Sequence, residues 1–501
     1  MATYFQLETL FSDHIMFQAD QPIRLFGTCQ KNIHLDIILL SQHFSFDLLE
    51  GHFVIELPII SYTEDAFNLM IRCFEQEVIL NDCVFGDVYV ASGQSNMQFT
   101  VKEATHVQPE TLPQVRFYEV PKLPYENAHI EFPYFYSSNP GWHLCTIEEV
   151  NTLSAIGYLV SKELNQKTQR PIGIISCNMG DTSVFSWTDI ASLKAEPGLK
   201  NYLDFYQTEI DRYRSKEEYV ERFNKQLPRL MEFYGQIDKG VRSGLPSDKA
   251  HEEAYRYYPD PYIPMGPKHY NRPAGCFDMM VSKVRPYQIK GVLFYQGESD
   301  HQNCELYQLA FKTMVESWRN AFMNNQLPFV YVQIANYSYP GTVQDAIAKV
   351  RDAQTKSIDL KHHLYMVSAL DQGESENIHP KNKTIVAKRI ADVLLEFVYH
   401  QAQDSLSPCY NTHKMVKNKC IISSKYNTLP LKSISGKNLG FKATVDGINY
   451  SDVPSVSIKG STIELDLLPN TVEIRYCFEN NPQCDIYSCN DLPYLPFQIK
   501  L

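Results

Sequence analysis

Apolar and polar positions alternate in short runs along the first 85 residues, as in Ile23-Arg24-Leu25-Phe26, Leu35-Asp36-Ile37-Ile38-Leu39 and Phe53-Val54-Ile55-Glu56-Leu57. A two-residue period broken by turn residues predicts half-buried strands, because successive side chains of a strand point to opposite faces. Residues 405–501 keep the same rhythm, in Ser455-Val456-Ser457-Ile458, Thr462-Ile463-Glu464-Leu465 and Val472-Glu473-Ile474-Arg475-Tyr476. Between these ends the pattern changes. Asp87-Val88-Tyr89-Val90-Ala91, Ile172-Gly173-Ile174-Ile175-Ser176, Gly291-Val292-Leu293-Phe294-Tyr295, Phe329-Val330-Tyr331-Val332-Gln333-Ile334 and Leu364-Tyr365-Met366-Val367-Ser368 are nearly continuous in apolar character. Such runs suit strands covered on both faces. Helical periods separate them. Leu306, Leu309, Ala310, Met314, Val315, Trp318 and Phe322 recur at three- and four-residue steps behind a capping Asn303. Ile385, Val386, Ile390, Val393, Leu394 and Phe397 do the same after His379. Strands alternating with helices predict an α/β domain with a parallel sheet.

Three regions follow: a β-rich domain over 1–85, an α/β domain over 86–404 and a second β-rich domain over 405–501. The stretch 194–270, rich in Tyr, Glu, Lys and Arg, breaks the alternation and reads as a helical insertion. The length of 501 residues exceeds one ordinary core, which agrees with several domains. With 44% hydrophobic and 12% aromatic residues the chain buries well-packed cores. A net charge of −12 without any basic run argues against a nucleic-acid partner.

No apolar run approaches the roughly 20 residues that span a bilayer, so no membrane partner is expected. The opening Met1-Ala2-Thr3-Tyr4-Phe5-Gln6-Leu7-Glu8 has no basic segment followed by an apolar one. A cytoplasmic location is therefore expected, or secretion if a leader has been removed. The 12 cysteines are scattered singly, and the closest pair, Cys484 and Cys489, lacks zinc-knuckle spacing. They read as small buried apolar side chains in a reducing compartment, and neither a metal nor another cofactor is expected.

Polar clusters stand just behind the apolar runs: Gly93-Gln94-Ser95-Asn96-Met97, Asn178-Met179-Gly180-Asp181-Thr182, Gln296-Gly297-Glu298-Ser299-Asp300, then Asp371 and Ile378-His379-Pro380. In open α/β sheets ligands bind beyond the carboxyl ends of the strands, so these loops are expected to build one site. Ser95 at a strand-to-helix turn would expose its hydroxyl and aim its own N–H at whatever the oxygen attacks. A serine hydroxyl needs a base within hydrogen-bond reach, and His379, with Pro380 behind it, is the histidine placed for that role. Gly180 can offer an unobstructed backbone N–H and Gln296 its amide. With the Ser95 N–H they would make a three-donor oxyanion hole.

The segments Gly86-Asp87-Val88-Tyr89-Val90-Ala91-Ser92-Gly93-Gln94-Ser95-Asn96-Met97-Gln98, Lys290-Gly291-Val292-Leu293-Phe294-Tyr295-Gln296-Gly297-Glu298-Ser299 and Ile378-His379-Pro380-Lys381-Asn382-Lys383 resemble the sialate O-acetylesterase family of SGNH hydrolases. Leu10-Phe11-Ser12-Asp13-His14-Ile15-Met16-Phe17-Gln18 and Ile474-Arg475-Tyr476-Cys477-Phe478-Glu479-Asn480-Asn481-Pro482 resemble its two ends, so the likeness spans nearly the whole chain outside 194–270. The resemblance implies a three-layer, flavodoxin-like SGNH domain flanked by the β-rich regions. It also implies metal-free hydrolysis of acetyl esters on a sugar, foremost sialic acid, with Ser95 as nucleophile, His379 as base, and Gly180 and Gln296 as oxyanion donors. The alternatives are an acetylesterase on another glycan, of the acetyl-xylan type, or a carbohydrate-binding homologue with impaired catalysis.

Two positions depart from the family pattern. Asp181 stands where the family often has a second glycine, and Asn377 where an aspartate often precedes the histidine by two places. An asparagine cannot offset the charge of an imidazolium. Glu298, Glu376, Glu374 and Asp371 are the candidates for the third member of the triad. Glu298 is favoured because related carbohydrate acetylesterases resemble this chain in carrying an acid after Gln-Gly. A sialate carboxylate would call for a local cation, for which Arg272 and Arg351 are the candidates.

Overall fold

Strand Gly51–Ile59 buries Phe53, Ile55 and Leu57 and exposes the residues between them, and Ile33–Leu39 buries Ile33, Leu35, Ile37 and Leu39. The two-residue period thus sets which face is covered. Gly51–Ile59 pairs antiparallel with Pro22–Cys29, which pairs with Phe5–Leu7. Ile33–Leu39 pairs with Gln42–Leu48 and with Phe67–Cys73. The structure is a computed structural model, and it describes residues 4–59, 65–122, 141–245, 247–339, 341–401, 404–427, 429–437 and 439–501. These form two compact units, Met1–Val292 with Lys312–Leu327 and Leu293–Phe311 with Pro328–Leu501.

In the first unit the strand Gln76–Gly93 carries the change of pattern within itself. Its first half is mixed in burial and pairs antiparallel with Phe67–Cys73; from Phe85 to Gly93 every residue is buried. That second half lies parallel to Ile172–Asn178, which is buried throughout and also lies parallel to Leu112–Glu119. A parallel pair covered on both faces needs the continuous apolar run that the sequence supplies. Leu112–Glu119 and its antiparallel neighbour Trp142–Cys145 have no such signature. Gln114, Arg116 and Glu119 interrupt the apolar run, and Arg116 is buried because its guanidinium bonds the His14 carbonyl at 2.8 Å and the Asp82 carboxylate at 3.1 Å. The span 194–270 holds the helices Lys200–Asp211, Lys216–Arg242 and Ser247–Tyr257.

In the second unit Phe329–Gln333 and Leu364–Ser368 run parallel and fully buried, and Gly291–Tyr295 precedes them in the strand order. Helix Thr384–Phe397 buries Val386, Ile390, Val393 and Leu394, whereas Ile385 is exposed. Asn303 does not cap the helix that follows it. It closes a short 3-10 turn, Glu298–Asn303, and the helix Tyr307–Ala321 starts four residues later. After residue 404 the chain forms antiparallel sheets, one ordered Cys409–Val416, Lys419–Lys425, Thr462–Asp466, Ser455–Lys459, around a core that includes Ile422, Ile463, Leu465, Ile474 and Tyr476. The observed architecture is a mixed α/β fold with β-rich regions flanking its core.

Candidate active site

Ser95 owes its position to the end of strand Gln76–Gly93. Gly93 lies at φ +126°, a conformation that side chains rarely adopt, and it lets the chain turn out of the sheet. Gln94 remains extended, and Ser95–Gln98 close a single helical turn through Gln98 N–H to the Gln94 carbonyl at 3.0 Å and Phe99 N–H to the Ser95 carbonyl at 2.8 Å. Ser95 is therefore the first residue of the turn, not its cap, and stays half-buried. The turn is tied down from outside: the Ser154 hydroxyl donates to the Met97 carbonyl at 2.6 Å, and the Ala155 N–H to that of Phe99 at 2.8 Å.

The neighbouring strand ends level with it, Asn178 opposite Gly93. Met179 N–H donates to the Gly93 carbonyl at 3.0 Å, which brings Gly180 against the serine. A Cβ placed on Gly180 would lie 3.5 Å from the Ser95 Cβ and 3.4 Å from the Gln98 Oε1. The Gly180 N–H donates to that same Gln98 Oε1 at 2.8 Å. Gln98, left unremarked by composition and spacing, therefore occupies the N–H expected of Gly180 as an oxyanion donor, and an oxyanion at that N–H would have to displace it. Thr182 Oγ fixes the loop further, donating to the Met179 carbonyl at 2.7 Å and accepting from the Trp187 indole at 3.0 Å.

Asp181 is exposed and sits at φ +55°, the left-handed region that Asp and Asn tolerate better than most residues. Its carboxylate charge reaches the insertion. Burial first, and then the charge of Asp181, raises the Tyr234 hydroxyl above the usual tyrosine range.

In the second unit the loop after Gly291–Tyr295 is equally constrained. Gly297 has φ +153°, and a Cβ there would lie 2.9 Å from the Ile334 Cγ2 and 3.0 Å from the Gln354 Nε2. Gln296 is buried, with its orientation set from both ends: the Tyr307 hydroxyl donates to its Oε1 at 3.1 Å and its Nε2 donates to Asp300. Glu298 is 4% exposed. Its charge, after burial, helps to raise the Tyr295 hydroxyl well above its ordinary range.

His379 is half-buried on a loop that braces itself. The Asn377 amide donates to the His379 carbonyl at 2.8 Å and to Glu374 Oε2 at 3.1 Å, while its Oδ1 accepts the His379 N–H at 3.0 Å. Glu374 Oε1 accepts the Lys381 N–H at 2.7 Å. Asp371 forms a bidentate pair with Arg389 at 2.6 and 2.8 Å, and Glu376 is exposed. Three of the four candidate acids are thus a loop brace, an arginine partner and a surface residue.

The two arginines considered for a sialate carboxylate are used by the fold. Arg351 is fully buried and donates to the carbonyls of Ile334, Ala335, Glu479 and Asn480 at 2.6–3.0 Å, and burial pulls its guanidinium down to about 10. Arg272 donates to the carbonyls of Pro267 and Pro273 and to Asp278. Among the described residues no group of three or more His, Cys, Asp or Glu side chains is placed to hold a metal ion, and no helix is long and apolar enough to cross a membrane.

The chain is similar to known carbohydrate esterases. The structure is similar to a carbohydrate acetylesterase from Xanthomonas citri, with a TM-score of 0.75 and 21% identity over 99% of each chain. Residues 266–396 match the profile of the family "Carbohydrate esterase, sialic acid-specific acetylesterase". The chain is an esterase hydrolase. Within that class its likeness is to the sialate O-acetylesterases. It is 24% identical to the one from Mus musculus over 83% of this chain and 78% of that protein, and 24% identical to the one from Homo sapiens over 83% and 76%.

Proposed function

We propose that this protein removes O-acetyl groups from a sugar through an acetyl-enzyme on Ser95. The observation that carries this reading is the half-buried serine opening a helical turn at the end of its strand, with Gly180 packed against it. In the proposed SGNH-type mechanism the Ser95 oxygen attacks the acetyl carbonyl carbon and His379 takes the hydroxyl proton. The oxyanion is met by the N–H groups of Ser95 and Gly180 and by the Gln296 amide. As the intermediate collapses, the bond to the sugar oxygen breaks and His379 returns the proton to it. Water, deprotonated by His379, then releases acetate and regenerates the serine. Glu298 is the acid that orients the histidine; the engagement of Asp371 and Glu374 elsewhere supports it over them.

Sialic acid is the first candidate sugar, since the relatives carry that specificity in their names. A neutral acetylated glycan of the acetyl-xylan type is the second reading. It is favoured by the exposed Asp181 beside Gly180 and by the use of Arg272 and Arg351 within the fold. A reducing, cytoplasmic location is proposed for this chemistry, in keeping with cysteines scattered singly along the sequence.

The test is acetate release from O-acetylated sialic acids, acetylated xylo-oligosaccharides and an aryl acetate, by wild type and Ser95→Ala. Wild type should be active and gain the mass of one acetyl group on the Ser95 peptide when quenched early. Ser95→Ala should lose several orders of magnitude in rate. Wild-type turnover by that variant would refute the mechanism, and the preferred sugar decides between the two substrate readings.

A further inference from the structure

The second unit contains a cavity of about 550 Å³ whose lining includes none of Gln296, Glu298 and His379. Its lining includes the Arg475 guanidinium, 3.8 Å from the centre of the Tyr450 ring and 5.1 Å from that of Phe478. Arg475 also pairs with Asp345 at 2.9 Å, and Lys442 pairs with Glu479. These four side chains are the charged members of the lining, two of each sign, so the cavity is built of charge but sums to zero.

That balance selects the ligand. An anion would have to pull a cation from its partner and leave a carboxylate uncompensated. An apolar ligand would cover charged groups and amides without replacing their hydrogen bonds to water. A polyhydroxylated neutral molecule satisfies both, because hydroxyls donate and accept as carboxamides do.

The exposed part of the lining fits the same chemistry. Gln344 and Asn449 are exposed, and Ile448, 78% exposed, offers an apolar surface to the C–H face of a sugar ring. The loop that presents Ile448 and Asn449 is pre-shaped: Asp446 accepts the N–H groups of Ile448 and Asn449, each at 2.8 Å, and the Asn449 amide at 2.7 Å. Preorganisation lowers the ordering cost of binding, and the volume lies within the roughly 300–1,000 Å³ of small-molecule sites. One lining residue also touches the histidine loop. Asn481 accepts from the Asn336 amide at 3.2 Å and donates to the Ser375 hydroxyl at 3.0 Å, four residues before His379.

We propose that this cavity binds a neutral saccharide, forming a glycan subsite distinct from the esterase residues. The reading does not depend on which ester is hydrolysed. It is tested by calorimetric titration of xylotetraose and cellotetraose into wild-type protein and into the double variant Gln344→Ala/Ile448→Ala, both changes being on exposed side chains. The neutral tetrasaccharides should bind wild type and bind the double variant at least tenfold more weakly, with melting temperature and aryl acetate hydrolysis unchanged. Absence of binding to wild type, equal affinity in the double variant, or tighter binding of free N-acetylneuraminic acid would overturn the proposal. Wild-type crystals soaked in xylotetraose give the answer without a variant: sugar density should lie against Tyr450 and Asn449, and density confined to other places would overturn it.

Discussion

Asn377→Asp tests how the histidine loop is held. At this position the asparagine works in both directions, donating to the His379 carbonyl and to Glu374 and accepting the His379 N–H. An aspartate keeps the acceptor and loses both donors. Two lost hydrogen bonds cost about 1–3 kcal/mol together. The introduced carboxylate would also face Glu374 across the 3.1 Å now spanned by a hydrogen bond. Like charges that close, at the loop surface, add about 1 kcal/mol even at the dielectric of water. The sum is a loss of about 2–4 kcal/mol at neutral pH.

The loss should depend on pH in a defined direction. Two adjoining carboxylates raise each other's affinity for a proton in the folded state. The variant should therefore lose stability as pH rises through the carboxylate range and recover it below that range. Because the brace acts on the His379 backbone, kcat/KM on an aryl acetate should fall at least about tenfold, the equivalent of 1.4 kcal/mol of misplacement. Melting curves between pH 4 and pH 8, together with the kinetics, measure both effects. A variant as stable as wild type and equally or more active would show that this position wants a carboxylate. The acid of the triad would then belong to the histidine loop, and the role given to Glu298 would fall.

Glu298→Gln should lower kcat by roughly 10²–10⁴-fold with KM little changed, whereas Glu376→Gln on the exposed loop should cost little; the reverse order in steady-state kinetics would move the acid to Glu376. Gly297→Ala should destabilise the fold by about 1–3 kcal/mol, because it forces a side chain into a glycine conformation and against Ile334 and Gln354; chemical denaturation with no change in midpoint would contradict that geometry. Burial pushes His269 from 6.5 down to about 4, so folding favours its neutral ring. The stability this provides is complete above about pH 6.5 and is lost as pH falls towards 4, by up to about 3 kcal/mol. His269→Gln should flatten that part of the acid limb in pH-dependent unfolding, and an unaltered limb would refute the assignment.

Local patterning determined a large part of this protein. The five continuous apolar runs are strands, because a segment buried on both faces has no polar position to spare. Ser95 opens a turn where Gly93 releases the chain, and both facts are written within a few neighbouring residues. The tertiary structure decided what the polar side chains do. Gly180 was legible as a donor, but the acceptor it meets, Gln98, lies 82 residues away in the chain. Arg351 read as a candidate anion ligand, and packing instead buried it against the Glu479 carbonyl 128 residues on. Leu112–Glu119 escaped the pattern because its polar residues are satisfied by partners elsewhere, Arg116 by Asp82. Asn377 read as a missing charge and is a two-way brace. Hydrophobic periodicity is a local record of which face is dry. The partner of a buried donor or acceptor is chosen by whichever distant segment packing brings within about 3 Å of it.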